Sequence, residues 1–546
     1  MTIVHEPGCD IDRSLPPLPA DQLDSGRGEP GFAVDVYAGN TFEGDVKSSF
    51  VVADGRVFVL GESEPDIPRG PISFRATTRF TPVRSGPHIV GMTEVGSARL
   101  FLDGKLLFDG IATPTPRGDA YFGTASQELT TEVDLDAEGD GHEIVIEFAS
   151  VRKGWLQGVV VGCKAVPSVD MMDRAVAAAA AADAAIVIVG TNNDWETEGH
   201  DRDSLDLPGA QGELIERVAV ANPNTVVVLN TGSVVTTEWA QEAPAILQAW
   251  FGGQEMSNAL VDVLFGDSEP SGRLPTTFPD CIEHTPSFGN FPGEHGQVRY
   301  GEGVLMGYRW YEARHLPVRY AFGHGISYTE FAIGAPEAPS TYSAAADGSS
   351  APLTITVPVT NTGRRRGAEV VQCYVGQRRP AVVRPPKELK AFQKVWLEPG
   401  ESTTVTLTLD GRSFAYWDPG SRYKGSLMTD AVGNFAATPD ADPGWRIDAG
   451  TYDIYIGRAS DDIARAAFRH ITSRATIGAR PPHTAPRPPS AYIAAIDCST
   501  ARSRSSAATR AASASSTEHF TNRTAAPGAS CARPGMSAPA ISAIFG

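Results

Sequence analysis

Between Gly31 and Phe148, short runs alternate apolar with polar residues: ISFRATTRFTPV, PHIVGMTEV, ARLFLDGKLLFDG and HEIVIEFA. A period of two places successive side chains on opposite faces of a strand. The stretch therefore predicts an antiparallel β-sandwich over 29–166, with turns at Asp103-Gly104 and Asp109-Gly110. Near Met171 the period changes. The Ala-rich MMDRAVAAAAAADA predicts a helix, followed by the continuous apolar strand AIVIVG, a helix around GELIERVAVA, the strand TVVVLN and the strand-like AILQAW. Uninterrupted apolar strands alternating with helices predict a parallel sheet covered on both faces, so 167–331 reads as an α/β unit.

After Phe331 a Ser/Ala/Gly/Pro-rich stretch, APEAPSTYSAAADGSSAP, reads as a linker over 332–351. Strands resume in LTITVPVTNTG, EVVQCYVG, STTVTLTLDG and GTYDIYIG, and predict a second sandwich, of immunoglobulin or fibronectin type, over 352–475. From 476 to 546 Ala, Ser, Arg, Pro and Thr dominate without a sustained period, which predicts a disordered tail. The fold class is thus multidomain, α/β plus all-β.

Composition narrows the chemistry. With 41% hydrophobic and 20% charged residues among 546, the chain has enough apolar material for several cores. A formal net charge of −19 argues against nucleic acid or an anionic membrane as partner, since phosphates are held by clustered Lys and Arg. The six cysteines, Cys9, Cys163, Cys281, Cys373, Cys498 and Cys531, are scattered without a C-x-x-C pair or histidines at ligand spacing, so neither a metal site nor a disulfide framework is expected. No stretch approaches the ~20 apolar residues of a membrane span. The N-terminus MTIVHEPGCDIDRS lacks the order of a signal peptide, which makes a cytoplasmic location the default expectation.

The most informative segment is GTNNDWETEGHDRDSLDLPGAQGELI, Gly190 to Ile215, directly after AIVIVG. Its polar residues belong to a loop beyond the carboxyl end of a parallel strand, where open α/β sheets place ligands. Asp194, Glu196, Glu198, Asp201 and Asp203 crowd there with Arg202. Crowded carboxylates raise one another's pKa, a means of keeping one protonated for acid catalysis. The same residues also suit a solvated acidic loop, or a cap for the helix after Leu207.

ETEGHDRDSLDLPGAQ resembles the E-G-x-D-R…L-x-L-P…Q segment of the C-terminal α/β sandwich domain of glycoside hydrolase family 3. WFGGQEMSNALVDVLFGDSEPSGRLPTTFP, YGEGVLMGYRWYE and FGHGISYTEF are similar to later segments of that domain in the same order, over about Met171 to Phe331. VPVTNTGRRRGAEVVQCYV, PPKELKAFQKV and GTYDIYIG resemble the fibronectin type III-like domain that ends many members. The first sandwich resembles a protective-antigen-type, lectin-like insertion, and VHEPGCDIDRSLPPLP the piece of the α/β domain preceding it. The resemblance therefore implies a discontinuous α/β domain, from 1–20 and again from 167.

It also implies roles. Glu198 matches the family's acid/base carboxylate, with Glu196 as the alternative acid two residues away. As acid it would protonate the glycosidic oxygen; as base it would activate water against a glycosyl-enzyme intermediate. Asp201 and Arg202 would order the loop through an ion pair and hydrogen bonds, and Trp195 is either a sugar-stacking platform or simple packing. His200, His295 and His324 read as satisfied loop residues. No cofactor is implied; the implied partner is an oligosaccharide or aryl β-glycoside substrate of a retaining, exo-acting β-glucosidase. The nucleophile of such an enzyme is an Asp on an N-terminal (β/α)₈ barrel of ~250 residues, in a Ser-Asp-Trp type motif that does not occur in this sequence. The expectation is a fragment that lacks the barrel and is inactive or very weak alone; the alternatives are a split-enzyme subunit and a non-catalytic carbohydrate-binding protein using the first sandwich.

Overall fold

The computed structural model describes residues 1–60, 70–118, 120–150, 156–198, 201–343, 350–418, 443–471, 475–477 and 541–543. In the first sandwich, alternation becomes burial. Along Ile72–Phe80 the side chains of Ile72, Phe74, Ala76 and Phe80 are buried, while those of Arg75, Thr77 and Arg79 are not. One sheet runs Ser48–Val52, Phe32–Ala38, Ile72–Phe80, His142–Ala149, Ser97–Leu102, Lys105–Asp109, with Leu23–Asp24 beside Ile72–Phe80. The other runs Arg56–Leu60, Leu156–Ala165, Gly86–Val95, Leu129–Leu135. Between them Phe74 and Phe148 stack with ring centroids 4.6 Å apart, in a core that includes Phe32, Leu100 and Ile144. Each such side chain contributes roughly 1.5–3 kcal/mol by leaving water.

Asp103 (φ 49°) and Gly104 (φ 77°) form the tight turn joining Ser97–Leu102 to Lys105–Asp109, where two left-handed residues match the twist of the strands. Asp109-Gly110 makes no second hairpin turn. Asp109 Oδ1 instead accepts from the backbone N–H of Ile111 and Ala112 and from Arg99, and ends the strand.

The α/β unit is built on the parallel strands Ala185–Gly190, Thr225–Asn230 and Ala245–Gln248. Val187, Val189, Val227, Leu229 and Ile246 form one core with Leu214, Ile215 and Val218 of helix Gln211–Ala221 and Ala179 of helix Met171–Ala181. On the opposite face Val228 and Leu247 lie against Leu260 and Val263 of helix Met256–Phe265. Cover on both faces, predicted from the unbroken apolar runs, does not extend to the edge strand: Ile186 and Ile188 remain 49% and 61% exposed.

The N-terminal residues act as a strap between the two units. Cys9 is buried in the α/β core, and a side chain at Gly8 would collide with Leu214. A few residues on, Leu18 is buried in the sandwich core. Leu18 N donates to Val161 O at 3.0 Å and Pro17 bridges Gly162, so the chain meets the sandwich beside the strand by which it leaves.

The second sandwich pairs Phe331–Ile333, Leu353–Asn361 and Ser402–Leu409 in one sheet. Thr341–Tyr342, Ile463–Ile471, Gly450–Gly457, Gly367–Gln377 and Glu388–Leu397 form the other. The stretch read as a linker over 332–351 thus carries strand residues: Ala332 and Ile333 lie opposite Thr360 and Val359, and Tyr342 is buried in the core. The apolar side chains of Phe331, Ile333 and Tyr342 outweigh the Ser/Ala/Gly/Pro composition around them; residues 344–349 lie outside the described residues. Most of 476–546, read as a disordered tail, also lies outside them. Disorder does not extend to Ala475–Ile477, paired with Gly444–Ile447, or to Ile541–Ala543, which lies parallel to Ala245–Gln248. Among the described residues no helix is long and apolar enough to cross a membrane.

Candidate active site

The loop between strand Ala185–Gly190 and helix Gln211–Ala221 is pinned at its root by Gln211. Gly190 N donates to Gln211 Oε1 at 2.7 Å, and Gln211 Nε2 donates to Gly190 O at 2.9 Å and Pro208 O at 3.0 Å. Gln211 is buried, so its amide replaces the water these backbone groups would otherwise need. Although Gln211 belongs to the motif that carries the resemblance, its clamping role was not legible there.

The acidic residues do not converge. Asp194 faces the strap, accepting from Ser14 N at 3.1 Å and Ser14 Oγ at 2.9 Å. Glu196 turns inward: Thr191 Oγ1 donates to its Oε1 at 2.5 Å, Gly232 N at 3.1 Å, and Arg202 Nη1 lies 3.9 Å away. Glu198, Asp201 and Asp203 are exposed, and the Glu198 carboxylate has no hydrogen-bond or ion-pair partner among the described residues. The loop therefore spreads its carboxylates to different sides instead of gathering them at one point.

Arg202 does not pair with Asp201. It donates to Ser233 Oγ at 3.0 Å, Asp206 O at 3.1 Å and Val234 O at 3.2 Å, and takes Glu196 as its charge partner. Neighbours in sequence project to different sides of the chain, so Asp201 stays in solvent while Arg202 folds under the loop. Burial pulls the Arg202 guanidinium below its usual range, and Glu196 and Asp206 oppose the pull. Trp195 is a clasp. Its Nε1 donates to Ile11 O at 2.7 Å and the Arg13 guanidinium lies over its ring, 3.8 Å from the centroid, which occupies a face that a sugar would need.

Beneath the loop lies a charged cluster that the sequence did not single out. Lys164, on strand Leu156–Ala165, meets Asp10 at 3.1 Å and Asp12 at 3.7 Å, and all three side chains are at most 10% exposed. Asn192 Nδ2 donates to Asp12 Oδ1 at 3.2 Å, and Leu15 N to Glu128 at 2.9 Å. Burial lifts Asp10 to about 6 against the pull of Lys164, and lowers Lys164 itself.

His295 sits in an exposed loop at φ 50°, His324 is held below its usual pKa by burial, and His200 lies outside the described residues with Gly199. Cys9, Cys163, Cys281 and Cys373 are free thiols, and no cluster of three potential metal ligands occurs among the described residues.

A parallel sheet with an acid-bearing loop at its carboxyl end, joined to two β-sandwiches, matches known proteins. Residues 57–328 match the glycosyl hydrolase family 3 C-terminal domain, and 369–460 a fibronectin type III-like domain. The chain belongs to glycoside hydrolase family 3, of which it carries the C-terminal region. It is similar to a beta-glucosidase of Rhizobium radiobacter, 38% identical over 86% of this chain and 53% of that protein. A probable beta-glucosidase I of Aspergillus oryzae is 34% identical over 85% of this chain and 54% of its own length. The crystal structure of a beta-glucosidase from Kluyveromyces marxianus in complex with glucose superposes with a TM-score of 0.75 at 30% identity, over 86% of this chain and 54% of that one. The chain therefore spans about half the length of the relatives it matches.

Proposed function

We propose that this chain supplies the acid/base half of a retaining β-glucosidase, with Glu198 as the acid/base residue. The observation that carries the reading is the contrast between two glutamates. Glu196 is fixed to Thr191, Gly232 and Arg202 inside the loop, whereas Glu198 projects into solvent from the loop those contacts order. A proton donor must reach the glycosidic oxygen, and a carboxylate already engaged by three neighbours does not. Names of relatives that are beta-glucosidases support the same reaction.

Retention needs a second carboxylate about 5 Å from the first, acting as nucleophile. The family resemblance assigns it to a (β/α)₈ barrel, and no such barrel occurs among the described residues. In this reading Glu198 acts only when that barrel is docked, and the first sandwich, lectin-like by resemblance, shapes the outer part of the pocket and limits substrate length. The test is hydrolysis of p-nitrophenyl β-glucoside by this chain, by a version fused to a family barrel, and by the fused Glu198→Gln variant. Activity in the fused form that disappears on Glu198→Gln supports the proposal. Activity that survives moves the acid elsewhere, and none in any form favours a non-catalytic carbohydrate-binding protein.

A further inference from the structure

We infer that Lys164, a residue of the first sandwich, is a positioning residue for the loop that carries Glu196 and Glu198, acting through the N-terminal strap. The strap holds the loop at successive points. Asp12 Oδ1 accepts from Asn192, Ser14 donates to Asp194, Ile11 O accepts from Trp195 Nε1, and Arg13 covers the Trp195 ring. Each residue of Asn192–Trp195 apart from Asn193 is tied to it, and Glu196 follows directly. On its other side the strap is held by the sandwich: Lys164 takes Asp10 and Asp12, and Glu128 takes Leu15 N. Residues 10–15 belong to no strand, and just beyond them Cys163 N donates to Pro16 O at 3.1 Å, so these side chains and that backbone contact together set where the strap lies. The sandwich thereby acts on the loop through the strap.

The charges decide which contact matters most. Asp10 and Asp12 from the strap, Glu128 from the sandwich and Asp194 from the loop surround Lys164, with Arg13 stacked on Trp195. Removing the ammonium leaves two nearly buried carboxylates facing each other, which is far costlier than losing an exposed pair. The strap would respond by moving into solvent or by taking up protons, and Asp10, already raised by burial, is placed to take the first.

Lys164→Met keeps the length of the stem and removes the charge. In hydrogen exchange followed by mass spectrometry, amides of residues 192–198 should exchange about tenfold faster than in the parent chain at pH 7. Amides of Ile72–Phe80 and His142–Ala149 should be unchanged, and Lys164→Arg should restore the loop. The ratio of variant to parent should shrink toward one at pH 5, below the value of about 6 to which burial lifts Asp10, as that carboxyl protonates. A purely packing role for Lys164 would show no such pH dependence. Unchanged exchange at 192–198, or equal loss of protection throughout the sandwich, overturns the inference. Asn192→Ala tests it without altering the sandwich: faster exchange at residues 10–15 supports the coupling, and no change there refutes it. The catalytic meaning rests on the Glu198 reading, but loop order is read by exchange alone. Failure of Glu198 as acid therefore leaves this result standing, and the converse also holds.

Discussion

Glu196→Gln and Glu198→Gln exchange the same atoms two residues apart, yet the structure assigns them opposite consequences. The Glu196 carboxylate accepts from Thr191 Oγ1 and Gly232 N and faces Arg202, whose side chain is 10% exposed. Hydrogen bonds to a charged group contribute roughly 1.5–3 kcal/mol, and glutamine keeps one carbonyl oxygen for them, so neutralising Glu196 should cost the α/β unit about 2 kcal/mol. At about 1.4 kcal/mol per tenfold, that is about thirty times more frequent opening. Glu198 is exposed, and its neutralisation should change stability by less than about 0.5 kcal/mol. Native-state hydrogen exchange of the amides in Ala185–Gly190 and Thr225–Asn230 reads the difference directly. In a barrel-complemented enzyme the order should reverse, with Glu198→Gln abolishing turnover of a poor leaving group and Glu196→Gln retaining part of it. Equal destabilisation by the two substitutions, or a larger effect from Glu198→Gln, would refute the inward and outward assignments.

Gln211→Leu fills a similar space but strands the N–H and C=O of Gly190 and the carbonyl of Pro208, and should cost about 3 kcal/mol in urea unfolding of the α/β unit. Gly232→Ala would place a methyl group 2.6 Å from Glu196 Oε2 and 2.7 Å from Phe251, so a crystal structure of the variant should show Glu196 displaced from Thr191; an unmoved carboxylate would contradict the close approach. Asp10 titrates at about 6 in the folded chain, above the ordinary aspartate value. Between those values the folded chain binds more protons than the unfolded one, so this group lowers stability as pH rises from 4 toward 6. Asp10→Asn should flatten that slope in urea midpoints collected across the window, and an unchanged slope would count against a buried, raised carboxyl.

Local pattern made much of the architecture legible. AIVIVG and TVVVLN are strands because uninterrupted branched residues suit a sheet covered by helices, and the Glu198 loop is recognisable because it follows one of them. What local pattern could not reveal are contacts between distant positions. Ser14 and Asp194 are 180 residues apart, and nothing in DIDRS or NNDWE alone says that one clasps the other. Sequence adjacency suggests Asp201 as the charge partner of Arg202, whereas the folded loop offers Glu196 and three neutral acceptors, Ser233 Oγ and the Val234 and Asp206 carbonyls. The supposed linker misled for a compositional reason: small residues around Phe331 and Tyr342 hid two strands too short to show a period. Exposure of Ile186 and Ile188 was equally hidden, since a run of branched residues looks the same whether or not a helix covers its second face.

The Leu18–Val161 hydrogen bond and the Pro17–Gly162 bridge make the first sandwich a cassette. Both of its ends pass through a single doorway, so the backbone positions flanking 19–160 are already neighbours before anything is cut. One in-frame deletion could remove the whole cassette and leave ends that a short turn would rejoin, without stretching the α/β core. The same doorway admits a foreign domain whose termini lie close together. An ancestor could thus acquire or discard this unit in one genetic step, and an engineer can exchange it in one cloning step.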